Sequence, residues 1–222
     1  MRERFRAFIR ILFAGLVAFF ATGAATANAG DLAVTVRDAN GKPVADAVVT
    51  AVLKSGAPLP PQQSNGVYRV NQKDTAYDPF VSIVPAGTPV AFKNSDSWGH
   101  HVYSFSKAKR FDITVPAQKS SDPLLFDKPG VVVIGCNIHD RMLAYIYVSG
   151  NGMPSKSNKM GVARFLGLPP GAYRLTAWHP LLRSKRKQPT ADITVQQDSE
   201  AALDLVATLK QPNKKKRKPY KY

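Results

Sequence analysis

The chain has 222 residues and a formal net charge of +16, because 31 Lys and Arg outnumber 15 Asp and Glu. With 44% apolar and 21% charged residues, the composition is that of a globular protein and excludes a wholly disordered chain. One cysteine and four histidines exclude an intramolecular disulfide, a zinc-finger array and a metal cluster built from many histidines. The 17 Pro and 15 Gly favour short strands and turns over long helices.

The first segment of the chain, residues 1–29, has the three parts of a secretory signal peptide. Four Arg precede or flank an apolar stretch at residues 11–25, and residues 27–29 (Ala-Asn-Ala) form a small-residue cleavage site. An uncleaved membrane anchor is the alternative interpretation. Cleavage before Gly30 removes four Arg and one Glu, which lowers the formal charge to +13. We therefore expect a mature protein exported to the periplasm.

Period-two alternation of apolar and polar residues dominates the rest of the chain and predicts short β-strands. The alternating or β-branched runs cover residues 31–38, 44–53, 80–84, 89–94, 102–105, 110–115, 124–126, 131–136, 143–148, 162–168, 172–178, 191–195 and 202–209. About a dozen strands are too many for one small sandwich, so we predict an all-β chain with two modules. Residues 211–222 are basic and lack periodicity, so we predict a disordered tail there.

A short motif between two predicted strands concentrates metal-binding side chains. Cys136, His139 and Met142 have the spacing C-x2-H-x2-M, and the pair His100 and His101 supplies an upstream imidazole. Two imidazoles, a thiolate and a thioether are the ligands of a blue-copper site, where the sulfur atoms favour Cu(I) and the imidazoles suit Cu(II). Zinc is the alternative metal, but structural zinc sites prefer four nitrogen or sulfur ligands without a thioether. A buried cysteine beside an unrelated surface histidine is the alternative without metal.

The segment from residue 74 to residue 150 resembles a cupredoxin of the plastocyanin or amicyanin type. The resemblance rests on Val84-Pro85-Ala86-Gly87, Val90-Ala91-Phe92-Lys93-Asn94, His100, Phe126, Pro129-Gly130, Cys136, His139 and Met142. More narrowly, HHVYSFS, AKRFD and PGVVVIGCNIHDRM resemble bacterial proteins described as methylamine utilization proteins. Those proteins join a cupredoxin to a carboxypeptidase regulatory-like β-sandwich. The resemblance implies a Greek-key β-sandwich that holds one type 1 copper ion.

The same resemblance implies a ligand set, namely His100, Cys136, His139 and Met142. In cupredoxins the upstream ligand histidine is usually followed by an Asn that ties the ligand loops together. Here His101 stands at the Asn position, so it is both a candidate for that linking role and the alternative upstream ligand. Asn94 and Asn137 are further candidates for hydrogen bonds that hold the ligand loops, with ordinary turn residues as the alternative.

The flanking segments resemble a second module. Residues 32–53 and 161–178 are similar to a carboxypeptidase regulatory-like, or transthyretin-like, β-sandwich, which has the carbohydrate-binding-like fold. We predict that residues 30–70 and 151–210 form this sandwich, with the cupredoxin of residues 71–150 inserted between them. The alternative is a cupredoxin with an N-terminal strand extension and a separate C-terminal sandwich.

The expected function is electron transfer in the periplasm by a type 1 copper ion that cycles between Cu(I) and Cu(II). His139 is the expected exit for electrons, in an apolar surface patch formed with Ile138 and Met142. A copper carrier or sensor with the same ligands is one alternative. A module that binds carbohydrate or a partner is another, with Trp178-His179-Pro180 as either a stacking surface or a packed strand end. We do not expect an enzyme, because a second, catalytic copper centre needs further histidines.

The positive charge suggests the kind of partner. Two basic runs stand near the C-terminal end, at residues 183–187 and 214–218. An acidic redox protein, either a cytochrome or a dehydrogenase, would be attracted at long range by this charge. An anionic membrane surface is a further partner for the basic tail, and simple solvation of the charges is the alternative to both. Export argues against a nucleic-acid partner.

Overall fold

The computed structural model describes residues 29–210 except 61, 63, 65, 140, 185, 186, 198 and 199. All sixteen regular elements in this part of the chain are β-strands, which confirms the predicted all-β class. The predicted basic tail and all but the last residue of the predicted signal peptide lie outside the described residues. Within the described part, no helix is long and apolar enough to cross a membrane.

Short strands follow the predicted alternation, because successive side chains of a strand point to opposite faces of its sheet. In the first strand Leu32, Val34 and Val36 are buried, whereas the residues between them are half-buried. The strands are β1 (Gly30–Asp38), β2 (Val48–Leu53), β3 (Tyr68–Lys73), β4 (Ala76–Asp78), β5 (Val81–Pro85), β6 (Thr88–Asn94), β7 (His100–Ser106), β8 (Lys109–Val115), β9 (Leu124–Phe126), β10 (Gly130–Cys136), β11 (Leu143–Ser149), β12 (Met153–Lys156), β13 (Val162–Leu168), β14 (Gly171–Trp178), β15 (Thr190–Val195) and β16 (Glu200–Ala207).

One sandwich is built from strands that are far apart in the sequence. Its two sheets have the strand orders β13-β1-β16 and β12-β2-β14-β15. β1 pairs antiparallel with β13 and parallel with β16, so the first strand of the described chain lies between two of its last strands. Between the sheets lies an apolar core that includes Val34, Phe165, Tyr173 and Leu175.

The other sandwich consists of the strands β3 to β11. Its sheets have the orders β5-β11-β10-β7-β8 and β4-β3-β6-β9, and they enclose a core that includes Phe92, Phe126, Ile134 and Ile146. β2 and β12, which precede and follow these strands in the chain, pair antiparallel with each other. The chain therefore leaves the first sandwich and returns to it between two neighbouring strands.

The two sandwiches pack on each other through a small third cluster centred on Trp178. The Trp178 ring lies 5.9 Å from the Tyr145 ring and 5.8 Å from the Tyr147 ring, measured between centroids, and is 6% exposed. The Tyr147 hydroxyl lies 3.1 Å from Oγ1 of Thr50, and Nζ of Lys156 donates a 2.7 Å hydrogen bond to the carbonyl of Val81. Trp178 is thus a packed strand end, and its buried ring is not available to stack a sugar.

Candidate metal centre

Strand pairing brings the upstream histidine and the cysteine together at one end of the strands of the five-stranded sheet. β10 ends at Cys136, which pairs with Val102 of the neighbouring β7, and β7 begins at His100. Alternation along β7 buries His100 and Val102 and leaves His101 half-buried on the opposite face. The His100 side chain therefore lies inside the sandwich, beside the Cys136 thiol.

Three of the predicted ligands form one cluster. Sγ of Cys136 lies 3.8 Å from Nδ1 of His100 and 3.6 Å from Nδ1 of His139. All three donor atoms lie within 4.8 Å of one another. His100 is fully buried, Cys136 is 5% exposed and His139 is half-buried, so the cluster reaches the surface only at His139.

Met142 closes the loop that carries Cys136 and His139. Its amide donates a 2.9 Å hydrogen bond to the carbonyl of His139, and its carbonyl accepts a 3.3 Å hydrogen bond from the amide of Cys136. The Met142 side chain is 3% exposed and packs in the same apolar cluster as Cys136. These contacts hold the loop in a short, closed turn between β10 and β11.

A carboxylate that the sequence reasoning did not single out holds the buried histidine. Oδ2 of Asp96 accepts a 2.7 Å hydrogen bond from Nε2 of His100, and both side chains are buried. Burial pushes the pKa of Asp96 upward, but the hydrogen bonds from His100 and from the Asp74 and Thr75 amides together hold the pKa below its usual value. With the Nε2 proton directed at Asp96, Nδ1 of His100 keeps its lone pair facing Cys136. The only indication of this contact in the sequence was that Asp96 stands four residues before His100, in the segment that follows β6.

The other upstream histidine lies away from the cluster. Nε2 of His101 hydrogen-bonds to Oδ1 of Asp112 on the neighbouring β8, and the Asp112 side chain is largely exposed. The His101 ring lies near the Tyr103 ring, with a centroid separation of 6.1 Å and a tilt of 42° between the ring planes. Of the two adjacent histidines, the structure therefore brings only His100 together with Cys136 and His139.

The two asparagines differ in what they contact. Asn94 is fully buried, and its Nδ2 donates to the carbonyls of Trp98, Val115 and Pro116 at 2.7, 3.1 and 3.1 Å. Its Oδ1 accepts a 2.9 Å hydrogen bond from the amide of Asp96. The Asn94 side chain thus ties the turn before His100 to the end of β8. Asn137 is exposed, and its backbone amide donates a 3.3 Å hydrogen bond to the carbonyl of His101.

Two apolar side chains near the cluster are exposed, and they differ from the expected set. Ile138 is 62% exposed and Trp98 is 46% exposed, and the Trp98 ring lies 6.4 Å from the His100 ring. The predicted contribution of Met142 to an apolar surface patch was wrong, because its side chain packs inward. Trp98 was missed because an isolated aromatic residue in a turn carries no periodic signal.

Tyr77 reaches the cluster from the opposite sheet. Its hydroxyl donates a 3.0 Å hydrogen bond to the carbonyl of Gly135, the residue before Cys136. Burial is the main cause that raises the pKa of Tyr77 well above its usual value, and the nearby Cys136 and Tyr103 raise it further. The hydroxyl is therefore a hydrogen-bond donor at neutral pH. The Tyr103 ring covers Gly135 from the outside, since a Cβ atom there would lie 2.8 Å from it. The end of β10 is therefore held from both faces.

The donor set fits a single copper ion. Bonds of about 2.0–2.3 Å to nitrogen and sulfur place neighbouring donors about 3.5–3.7 Å apart around one ion. Of the two separations from Cys136 Sγ, 3.6 Å lies within this range and 3.8 Å lies just above it. A soft sulfur donor with two imidazoles, and a thioether side chain buried beside them, is the combination that suits copper in both oxidation states.

Of the comparisons with known proteins, only the one with solved structures finds similar chains. No protein-family model matches the chain, and no curated protein matches it significantly. Amicyanin from Paracoccus versutus is similar at 15% identity and a TM-score of 0.35, over 45% of this chain and 98% of that chain. A purple cupredoxin from Nitrosopumilus maritimus is similar at 21% identity and a TM-score of 0.33, over 38% of this chain and all of that chain.

A larger protein is also similar over part of its length. A copper-containing nitrite reductase from Thermus scotoductus shares 22% identity at a TM-score of 0.37, over 43% of this chain and 26% of that chain. These three structural neighbours are cupredoxins. At such identities and TM-scores the similarity assigns no function, so the metal assignment depends on the donor atoms.

Proposed function

We propose that this protein is an exported type 1 copper protein that transfers single electrons. The observation that carries the proposal is the cluster of Cys136 Sγ with the Nδ1 atoms of His100 and His139, at 3.8 and 3.6 Å. Copper, when bound, supplies one-electron exchange between Cu(I) and Cu(II). Met142 completes the proposed ligand set from its buried position in the same loop.

The protein's own contribution is to hold the donors in one arrangement. Rigid strands fix His100 and Cys136, and the hydrogen-bonded turn of Met142 fixes His139. Because a fixed site rearranges little when the charge on the metal changes, it lowers the barrier to electron exchange. The half-buried His139, next to the exposed Ile138 in the chain, offers the route to the surface.

The proposed partner is an acidic redox protein, a cytochrome or a dehydrogenase. The net charge of the chain supports long-range attraction of such a partner, and the exposed side chains of Ile138 and Trp98 support close contact near the metal cluster. An anionic membrane surface remains a second proposed contact, through the basic tail. We propose no role in nucleic-acid binding and no catalytic activity.

The proposed location and architecture rest on sequence and topology together. The signal-peptide pattern of residues 1–29 supports export to the periplasm. The pairing of β2 with β12 supports a copper module of residues 71–150 inserted into a carboxypeptidase regulatory-like sandwich of residues 30–70 and 151–210. This combination underlies the proposed relation to methylamine utilization proteins.

Addition of Cu(II) to the purified protein from residue 30 onward is expected to produce an intense blue colour, from charge transfer between the Cys136 thiolate and the metal. Visible absorption and EPR spectra measure it, and parallel addition of zinc to a second sample is the control. A colourless protein that keeps zinc in the presence of excess copper would contradict the copper assignment.

Reduction with ascorbate and reoxidation with ferricyanide distinguish electron transfer from copper delivery. We expect the blue absorption to disappear and return fully over repeated cycles, because the fixed donor set of His100, Cys136 and His139 suits both oxidation states. The copper content is measured after each cycle in the presence of a Cu(I) chelator. Loss of the metal to the chelator on reduction would favour a carrier and would overturn electron transfer.

A further inference from the structure

Asp96 is a buried carboxylate at the centre of a hydrogen-bond network beside the metal cluster. Its side chain is 4% exposed, and its oxygens accept hydrogen bonds from Nε2 of His100 at 2.7 Å and from the amides of Asp74 and Thr75 at 2.7 and 3.4 Å. Its own amide donates to Oδ1 of Asn94 at 2.9 Å. The Asp96 carbonyl accepts a 3.2 Å hydrogen bond from the amide of Gln118, so five protein groups fix this side chain and its backbone.

The turn that faces Asp96 has an unusual backbone. Asp74 and Thr75, between β3 and β4, have φ angles of 53° and 57°, in the left-handed region that non-glycine residues rarely adopt. A β-branched residue such as Thr75 is especially unfavourable there. Two successive positive φ angles are those of the two-residue hairpin turn that joins β3 to β4, where Lys73 pairs with Ala76. Here this turn directs two successive amide groups at the Asp96 carboxylate.

These contacts give Asp96 a role beyond packing, one that rests on the proposed copper function. We propose that Asp96 is the positioning residue for His100, and that its negative charge favours Cu(II) over Cu(I). By accepting the Nε2 proton, the carboxylate fixes the ring so that Nδ1 faces Cys136, and it increases the basicity of that nitrogen. A negative charge in a buried site stabilises the more highly charged metal ion more strongly.

The chain contains its own control for this proposal. His101, next to His100 in the sequence, also hydrogen-bonds to an aspartate, Asp112, but that pair lies outside the metal cluster and the Asp112 side chain is 61% exposed. The substitutions Asp96→Asn and Asp112→Asn thus make the same chemical change to two histidine–aspartate pairs. Only one of these pairs reaches the proposed copper ligands.

The experiment compares wild type, Asp96→Asn and Asp112→Asn after each protein is loaded with copper. We expect Asp96→Asn to remain blue, because Cys136 is intact, but to bind Cu(II) about 10–100-fold more weakly. Each tenfold loss of preference for Cu(II) over Cu(I) raises the reduction potential by about 59 mV. Asp112→Asn is expected to match wild type in both properties. Equal potentials in wild type and Asp96→Asn, or an equal shift in Asp112→Asn, would overturn the proposal.

A measurement on the wild type keeps the test decisive if Asp96→Asn does not fold. In the Cu(I)-loaded protein, the Nε2 proton of His100 should give an NMR signal that exchanges slowly with water, because Asp96 accepts it in a buried site. Fast exchange of this proton would overturn the proposal. If the wild type cycles copper reversibly but the Nε2 proton of His100 exchanges fast, only the role of Asp96 is overturned and the proposed electron transfer stands. If the wild type forms no blue copper site, the proposed function is overturned.

Discussion

Replacement of Cys136 by serine is expected to abolish the blue colour of the copper-loaded protein. The colour needs a thiolate bound to Cu(II), and a serine hydroxyl is a hard donor that cannot supply this charge transfer. Serine has nearly the same size as cysteine, so the packing of β10 against β7 and β11 should be kept. Visible absorption at equal copper content measures the effect, and thermal unfolding followed by circular dichroism checks the fold.

The adjacent histidines provide the matched control for that substitution. His100→Gln should also lose the blue colour, because it removes one of the clustered Nδ1 atoms, whereas His101→Gln should keep it. A blue Cys136→Ser protein would contradict the role of the thiol. Loss of colour in His101→Gln with retention in His100→Gln would show that the upstream ligand is His101.

Replacement of Trp178 by alanine is expected to lower the free energy of unfolding by about 3–5 kcal/mol. The ring is buried between the two sandwiches, where it packs on Tyr145 and Tyr147, and its removal leaves a cavity that rigid sheets cannot close. Urea denaturation followed by tryptophan fluorescence and circular dichroism gives the difference. Copper binding should persist, because Trp178 does not contact the cluster of His100, Cys136 and His139.

Trp98 is the control for this second substitution, since it is the other tryptophan of the chain and is 46% exposed. Trp98→Ala should cost about 1 kcal/mol or less, in the range of ordinary surface substitutions. An equal loss of stability in the two variants would contradict the role of Trp178 as the packed contact between the sandwiches. Loss of copper binding in Trp178→Ala alone would show that the second sandwich supports the metal centre directly.

The network around Asp96 joins the metal cluster to both sheets of its sandwich. Asp96 contacts His100 on one side and the β3–β4 turn on the other, while Tyr77 of β4 bonds to the carbonyl before Cys136. Both connections bring β3 and β4 to the ligand end of the five-stranded sheet. The electron-transfer proposal requires such a support, since a donor set that shifted between Cu(I) and Cu(II) would exchange electrons slowly.

Local patterns in the sequence were sufficient for the all-β class and for the core of the site. Alternation in β1 and β8 arises because successive side chains of a strand face opposite sides of the sheet, and this signal needs no distant partner. Cys136, His139 and Met142 lie within seven consecutive residues, so they must be close together whatever the rest of the chain does. The preference for His100 over His101 followed from a resemblance, and the alternation of β7 places His100 inside.

Contacts between distant residues were decided only by the tertiary structure. Asp96 faces the amides of Asp74 and Thr75, and Trp178 lies between the rings of Tyr145 and Tyr147, yet each of these side chains reads as an ordinary turn or strand residue in the sequence. The sequence by itself determined the strand class, the loop with its cysteine and histidine, and the charge. The fold decided which aspartate supports a ligand and which tryptophan joins the sandwiches, because those choices depend on strand pairings between residues far apart in the chain.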